Sequence, residues 1–206
     1  MTVADSARPR LLVVAGPNGA GKTTITERGL AHEWFEGCEY VNPDLIAQEE
    51  LGDWNDPQAV LQAVRIAADR REACLRDRRS LAFETVFSGP DKPEFVRRAI
   101  AAGYFVRIFF IGTERPEINA ARIARRVLEG GHDVPIRKII DRWGRSIANA
   151  ASVAAEFHRL YLYDNSIEAR EAQLVVRASE GRLVRKYTET PAWTVPIIDT
   201  LTPGGG

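Results

Sequence analysis

Eight consecutive residues carry the clearest chemistry in this chain: Gly16-Pro17-Asn18-Gly19-Ala20-Gly21-Lys22-Thr23. They fit the pattern G-x-x-x-x-G-K-[ST] of a phosphate-binding loop. Glycines at these spacings let the backbone turn so that its N–H groups point inward at phosphate oxygens. A helix opening near Gly21 adds the positive end of its dipole at the same place. Lys22 then reaches the β- and γ-phosphates, and the Thr23 hydroxyl is placed to ligate Mg²⁺. Asn18, Ala20 and Thr24 complete the loop, so Gly16, Asn18, Gly19, Ala20, Gly21, Lys22, Thr23 and Thr24 are expected to hold ATP or GTP. A chance match in a chain this long is roughly a one-per-cent event at ordinary residue usage. Lysine is scarce here, at Lys22, Lys92, Lys138 and Lys186 alone, so abundance does not explain the one in the loop.

What receives the phosphate must lie at the carboxyl ends of neighbouring strands, where ligands of such sheets bind. Asp44, in VNPDLIA, follows a short strand; a carboxylate there can take the proton of an incoming hydroxyl. An acid in the first turn of a helix is equally what the dipole favours, so spacing leaves both readings open. Glu84 and Thr85 end the strand LAFET, where a carboxylate must be paired, solvated or near a metal. Arg122 and Arg126 share one helical face, as do Lys138 and Arg142 on the next helix. Arginines on a lid closing over the γ-phosphate would stabilise its charge and exclude water. Asn165 lies in a loop that either lines a nucleotide-base pocket or makes a simple Asx turn. His132, in the glycine-rich GGHDVP segment, is the only histidine placed near this chemistry.

These residues need a strand–helix alternation to bring them together. Leu11–Ala15 reads as a strand buried on both faces, followed by a helix over 22–31. Cys38–Val41 is a second strand, and Asn42-Pro43 and Asp56-Pro57 each open a helix as cap and first position. The second runs to about Arg79, with Val60, Leu61, Val64, Ala68 and Leu75 as its apolar side. Strands follow at Leu81–Thr85, Phe105–Ile111, Leu160–Tyr163 and Leu174–Ala178, with helices over 93–102, 116–129 and 135–157 between them. A final hairpin is expected from Leu183–Tyr187 and Trp193–Ile198. The order predicts an α/β fold: a mostly parallel central sheet with helices on both faces. We expect a single domain over 1–206, with its core at about 10–180 and a C-terminal hairpin and tail over 181–206.

Composition sets the remaining limits. Lys plus Arg and Asp plus Glu are both 28, a formal net charge of zero, which makes a nucleic-acid partner unlikely. No apolar run is long enough to cross a bilayer, and the polar start has no signal-peptide core. Two cysteines without metal-ligand spacing suit a reducing, cytoplasmic setting.

The ordered set GPNGAGKTT, VNPDLIA, FETVFSG, GYFVRIFFIG, ARIARRVLEGGHDVP and LYDNS resembles the zeta-toxin family of P-loop proteins, over about Leu11–Ser166. The resemblance implies a fold close to nucleoside-monophosphate kinases. It implies transfer of phosphate from ATP or GTP, with Mg²⁺, to a sugar hydroxyl of UDP-N-acetylglucosamine or a related nucleotide sugar. It also implies that a small antitoxin protein can block the nucleotide site. By position, Lys22 and Thr23 match the phosphate and magnesium residues, and Asp44 the general base. Glu84 and Thr85 match the substrate-contacting acid and hydroxyl, and Arg126 a lid arginine. Asn42 and His132 are candidate substrate contacts. The second lid arginine falls among Arg137, Arg142 and Arg145, of which Arg142 is favoured. Other acceptors (a nucleoside, an antibiotic or a polynucleotide end) are the alternative, as is a nucleotide-binding module with little turnover.

Overall fold

The computed structural model describes residues 8–30, 32–52, 56–128 and 134–204. Seven strands form one sheet in the order β2-β3-β1-β4-β5-β6-β7. They are β1 (Arg10–Ala15), β2 (Glu39–Val41), β3 (Leu81–Thr85), β4 (Phe105–Gly112), β5 (Arg159–Asp164), β6 (Gln173–Ser179) and β7 (Arg182–Lys186). β2 through β5 pair in parallel with β1 at the centre, and β6 and β7 are added antiparallel. The expected α/β architecture is therefore present, and the carboxyl ends of β1 to β5 lie along one edge.

Alternation along β1 sends Leu11, Val13 and Ala15 into one core and Leu12 and Val14 into another. The continuous apolar run has that cause: both faces are covered. The two cores are unequal. The larger packs under α2 (Pro43–Glu49), α3 (Pro57–Asp77), α4 (Asp91–Ala101), α6 (Ile136–Ala151) and α7 (Val195–Ile198). The smaller lies under α1 (Lys22–Leu30) and the turn carrying Trp34 and Phe35. Helix α5 (Pro116–Leu128) follows β4 and carries Arg122, Arg125 and Arg126.

Both Asx-Pro helix starts form as the sequence indicates. Asn42 Oδ1 accepts from Asp44 N at 2.9 Å, and Asp56 accepts from Gln58 N and Ala59 N. The helix expected to reach Arg79 stops at Asp77, where Arg78 turns left-handed at φ 56°.

Two expectations need correction. The buried stripe of α3 is Ala59, Ala63, Ala67 and Cys74, whereas Leu61 and Val64 are about half exposed, at 54% and 47%. Small side chains let the helix lie close to its neighbours, and burial follows that close approach rather than residue hydrophobicity. The second correction concerns the end of the chain. β7 forms, but its hairpin partner is β6, joined through Glu180 and Gly181 at φ 51° and 73°. Two adjacent positive φ values make the tight turn that matches strand twist. Trp193–Ile198 is not a strand: Ala192–Thr194 is a 3₁₀ turn and Val195–Ile198 one helical turn. Pro196 has no N–H for a ladder and fits a helix start. Trp193 is buried and donates Nε1–H to Asp164 Oδ1 at 2.8 Å.

The corrected face of α3 has a direct test. Ala63→Leu should destabilise the fold by about 1–3 kcal/mol through overpacking, and Leu61→Ala should stay within about 0.5 kcal/mol. Urea denaturation of the two variants measures both, and equal effects would contradict the buried stripe described above.

Candidate active site

The loop after β1 is held from four sides. Gly16 sits at φ 147°, and a Cβ there would run into the Ile111 carbonyl oxygen of β4. Its own N–H donates to Thr85 O at the end of β3, at 3.2 Å. Gly19, at φ 76°, passes so close to α5 that a Cβ would stand 2.8 Å from Asn119 O. Asn119 is fully buried; its Nδ2 donates to Asn18 O at 2.6 Å, and its Oδ1 accepts from the buried Thr113 hydroxyl. From the β5 side, Asn165 Nδ2 donates to the carbonyl of the buried Ala20 at 2.8 Å. Asn165 is itself fixed by its N–H to Gly112 O at 2.9 Å. Asp164 beside it takes bonds from Ser166 and Trp193. Asn165 is thus tied to the loop itself by its side chain.

Lys22 opens α1 and folds back over the loop, Nζ donating to Gly16 O at 2.9 Å and Pro17 O at 3.1 Å. Burial pushes its pKa down to about 8; the carboxylates of Glu84 and then Asp44 oppose that shift, and Arg126 adds to it. The Asp44 and Glu84 carboxylates and the Arg126 guanidinium therefore all lie within electrostatic range of the Lys22 ammonium. Thr23 and Thr24 are exposed in the first turn of α1, free of the core.

On the acid side, Glu84 is joined to the β2–α2 junction by a residue that sequence reasoning missed. Tyr40 donates its hydroxyl to Glu84 Oε1 at 2.9 Å and accepts from Asn42 Nδ2 at 3.0 Å. Burial, then the Glu84 charge, raises the Tyr40 pKa well above its usual value, so the phenol keeps its proton. Asn42 in turn caps Asp44 N, and the chain Glu84–Tyr40–Asn42 leads to the Asp44 backbone. Period two in a strand puts Tyr40 on the side of Asn42, the one signal that pointed to it. Thr85 uses its hydroxyl locally, accepting from Phe87 N at 3.0 Å, where Phe87 holds φ 60°. Helix α6 clamps this turn: Ser146 donates to Val86 O and Asn149 to Phe87 O.

On the cation side, Arg122, Arg125 and Arg126 line a cleft of about 290 Å³ with Gly19, Gly21 and Asn165. Arg122 donates to Gly19 O at 3.4 Å, and Arg125 pairs with Glu168. Of the three candidates on α6, Arg142 reaches the loop, its guanidinium 3.5 Å from Asn18 Oδ1. Arg145 turns to Asp141 at 2.6 Å, and Arg137 is exposed. His132 lies outside the described residues. Asn119 was missed because a polar residue on an amphipathic helix reads as solvated; only the crossing of α5 over the loop buries it.

A bound Mg²⁺ fits these residues. Among the described residues no cluster of three or more His, Cys, Asp or Glu could cage a metal. Magnesium needs no such cage, since it commonly takes one or two protein oxygens and completes its shell with phosphates and water. The exposed Thr23 hydroxyl would supply one such oxygen.

The Lys22 pKa sets a pH dependence. Polyphosphate favours the charged ammonium, so above pH 8 binding must take up a proton. Affinity for ATP should be full below about pH 8 and fall by up to about tenfold per pH unit above it. Lys22→Met should bind more weakly and lose this slope; titration calorimetry between pH 7 and 10 measures both.

No protein-family model matches the chain. An uncharacterized protein of Haemophilus influenzae is 28% identical over 123 residues, which cover 60% of this chain and 84% of that protein. Among solved structures, the AvrRxo1-ORF1:AvrRxo1-ORF2 complex aligns over 97% of this chain and 65% of the matching one, at 19% identity and TM-score 0.65. The same complex with ATP gives 20% identity and TM-score 0.64, over 88% and 61% of the two chains. The PezAT toxin–antitoxin system of Streptococcus pneumoniae gives 19% and 0.61, over 96% and 80%. The chain thus spans somewhat under two thirds of the AvrRxo1 chain it matches. At these identities the likeness is one of fold, and the fold is that of the toxin–antitoxin and ATP-complexed proteins named.

Proposed function

We propose that this protein is a P-loop kinase of the zeta-toxin type, transferring a phosphoryl group from ATP or GTP to a hydroxyl of a small, phosphate-bearing acceptor. The observation that carries the reading is the setting of Lys22. Glu84, Asp44 and Arg126 all lie within electrostatic reach of it, and Arg126 lines the cleft beside the loop. A phosphate-binding cation flanked by acids and by an arginine cleft is what transfer to a hydroxyl requires; a binding module has no need of the acids. The ATP complex of a protein with this fold supports a nucleotide at the loop.

In this reading the loop amides and Lys22 bind the β- and γ-phosphates. The Asp44 carboxylate takes the acceptor hydroxyl proton as the new O–P bond forms and the bond from Pγ to the bridging oxygen breaks, releasing ADP or GDP. Arg126 and Arg142 stabilise the charge spread over the γ-phosphoryl oxygens. Glu84, with Thr85 and Asn42, orients the acceptor. Thr23, with the phosphates, would hold Mg²⁺, which would add to the neutralisation of that charge. The resemblance to zeta toxins makes a UDP-N-acetylated sugar the first acceptor to test. The complexes of the fold relatives make a small antitoxin protein the partner to seek.

The test is nucleoside diphosphate release with Mg²⁺ and ATP or GTP, with and without UDP-N-acetylglucosamine, with mass spectrometry of the sugar nucleotide. A mass gain of one phosphoryl group is expected; turnover with a different hydroxyl acceptor alone would move the substrate and keep the kinase. Asp44→Asn should lower the transfer rate by about 10²-fold or more while ATP affinity stays within about twofold, since Asp44 lies on the acceptor side. An unchanged rate would remove Asp44 from the chemistry.

A further inference from the structure

The hydroxyl of Tyr40 stands where β2, β3 and α1 meet. Tyr40 pairs with Ala82 of β3, and its ring packs against the smaller core. Glu84, two residues beyond Ala82, ends β3 on that same face. The ring is therefore anchored below while its hydroxyl comes up beside the strand ends. There it donates to Glu84 Oε1 at 2.9 Å and accepts from Asn42 Nδ2 at 3.0 Å. The buried Thr26 hydroxyl of α1, which donates to Lys22 O at 3.2 Å, also lies within hydrogen-bonding reach of the Tyr40 oxygen.

A phenol has one proton to give. The Asn42 oxygen is occupied at Asp44 N, so its amide nitrogen faces Tyr40 as a donor and the Tyr40 proton is directed to Glu84. Glu84 Oε1 is spent in that bond. Among the described residues, Oε2 has no hydrogen-bond or ion-pair partner.

We propose that Tyr40 is the positioning residue for the acceptor: its hydroxyl fixes the Glu84 carboxylate through Oε1, leaving Oε2 to take a hydrogen bond from the acceptor. The role rests on the kinase reading above. A glutamate at a strand end has several rotamers, and ordering them when the acceptor arrives would cost binding energy. Tyr40 orders them beforehand, with a bond to a charged oxygen, which is the stronger kind. The same hydroxyl reaches Asn42, which caps the helix carrying Asp44, and Thr26, one turn beyond Lys22. Phenylalanine would fill the space of the ring but could hold neither Glu84 nor Asn42.

Kinetics of Tyr40→Phe, Glu84→Ala and the double variant test this, with MgATP and UDP-N-acetylglucosamine, or a nucleoside panel if that sugar nucleotide is inert. In Tyr40→Phe, kcat/KM for the acceptor should fall about tenfold or more, the size of one hydrogen bond to a charged group, while the ATP dissociation constant stays within about twofold. In the Glu84→Ala background the same change should cost less than about twofold, since the carboxylate it positions is gone. Thermal melting reports whether each variant is folded. An equal cost in both backgrounds, an ATP affinity that falls in step with the rate, or loss of the fold in Tyr40→Phe would make Tyr40 a structural residue and overturn the role while the kinase reading stands. Binding of ATP without turnover on any acceptor would overturn the kinase reading, and the positioning role with it.

Discussion

Close approach of backbone to backbone around the loop after β1 is the constraint on which the rest of the site depends. Gly16 leaves no space for a side chain beside Ile111 O, and Gly19 almost none beside Asn119. β3 and β4 meet the loop at Gly16, α5 at Asn18, and Asn165 at Ala20. A loop that presents N–H groups to an anion cannot satisfy them internally, so its carbonyls and turns must be fixed from outside. Each outside contact also brings a chemical group with it. The contact with β3 brings Glu84, α5 brings Arg122 and Arg126, and Asn165 brings a wall of the arginine cleft.

Two further ties connect the sides of the site. Tyr40 joins Glu84 to Asn42, and through the helix cap to the Asp44 N–H, so the end of β3 and the first turn of α2 share one hydrogen-bonded path. Helix α6 grips the turn after β3 through Ser146 and Asn149 while Arg142 points back at Asn18. The left-handed Phe87 in that turn is held by Thr85 on one side and by α6 on the other, a strained conformation kept by its surroundings.

The sheet itself is covered unevenly. Five helices back the larger core, and one helix with a short aromatic turn backs the smaller. The antiparallel β6–β7 hairpin widens the sheet without adding a layer. The C-terminal segment then serves the site from behind: Trp193 bonds Asp164, and Asp164 and Ser166 shape the turn that carries Asn165.

Local pattern determined much of this. The loop motif, the strand–helix alternation and both Asx-Pro caps were legible, because glycine spacing, buried apolar runs and side-chain capping act over a few residues. Where the outcome hung on what came to lie against an element, the sequence was silent or misleading. Hydrophobicity alone put Leu61 and Val64 on the buried side of α3, while the structure buries Ala63 and Ala67 there, since close packing of the helix needs small side chains. Trp193–Ile198 looked like a strand until β6 had taken β7 as its partner. Asn119 has no local signature and Tyr40 only its strand register with Asn42; their contacts are with groups 101 and 44 positions away, as the Asn119–Asn18 and Tyr40–Glu84 bonds show. Short-range chemistry fixes which elements form and where the glycine-rich loop falls. Which side chains face that loop from across the sheet is decided only when the chain closes on itself, because those contacts exist in no segment taken alone.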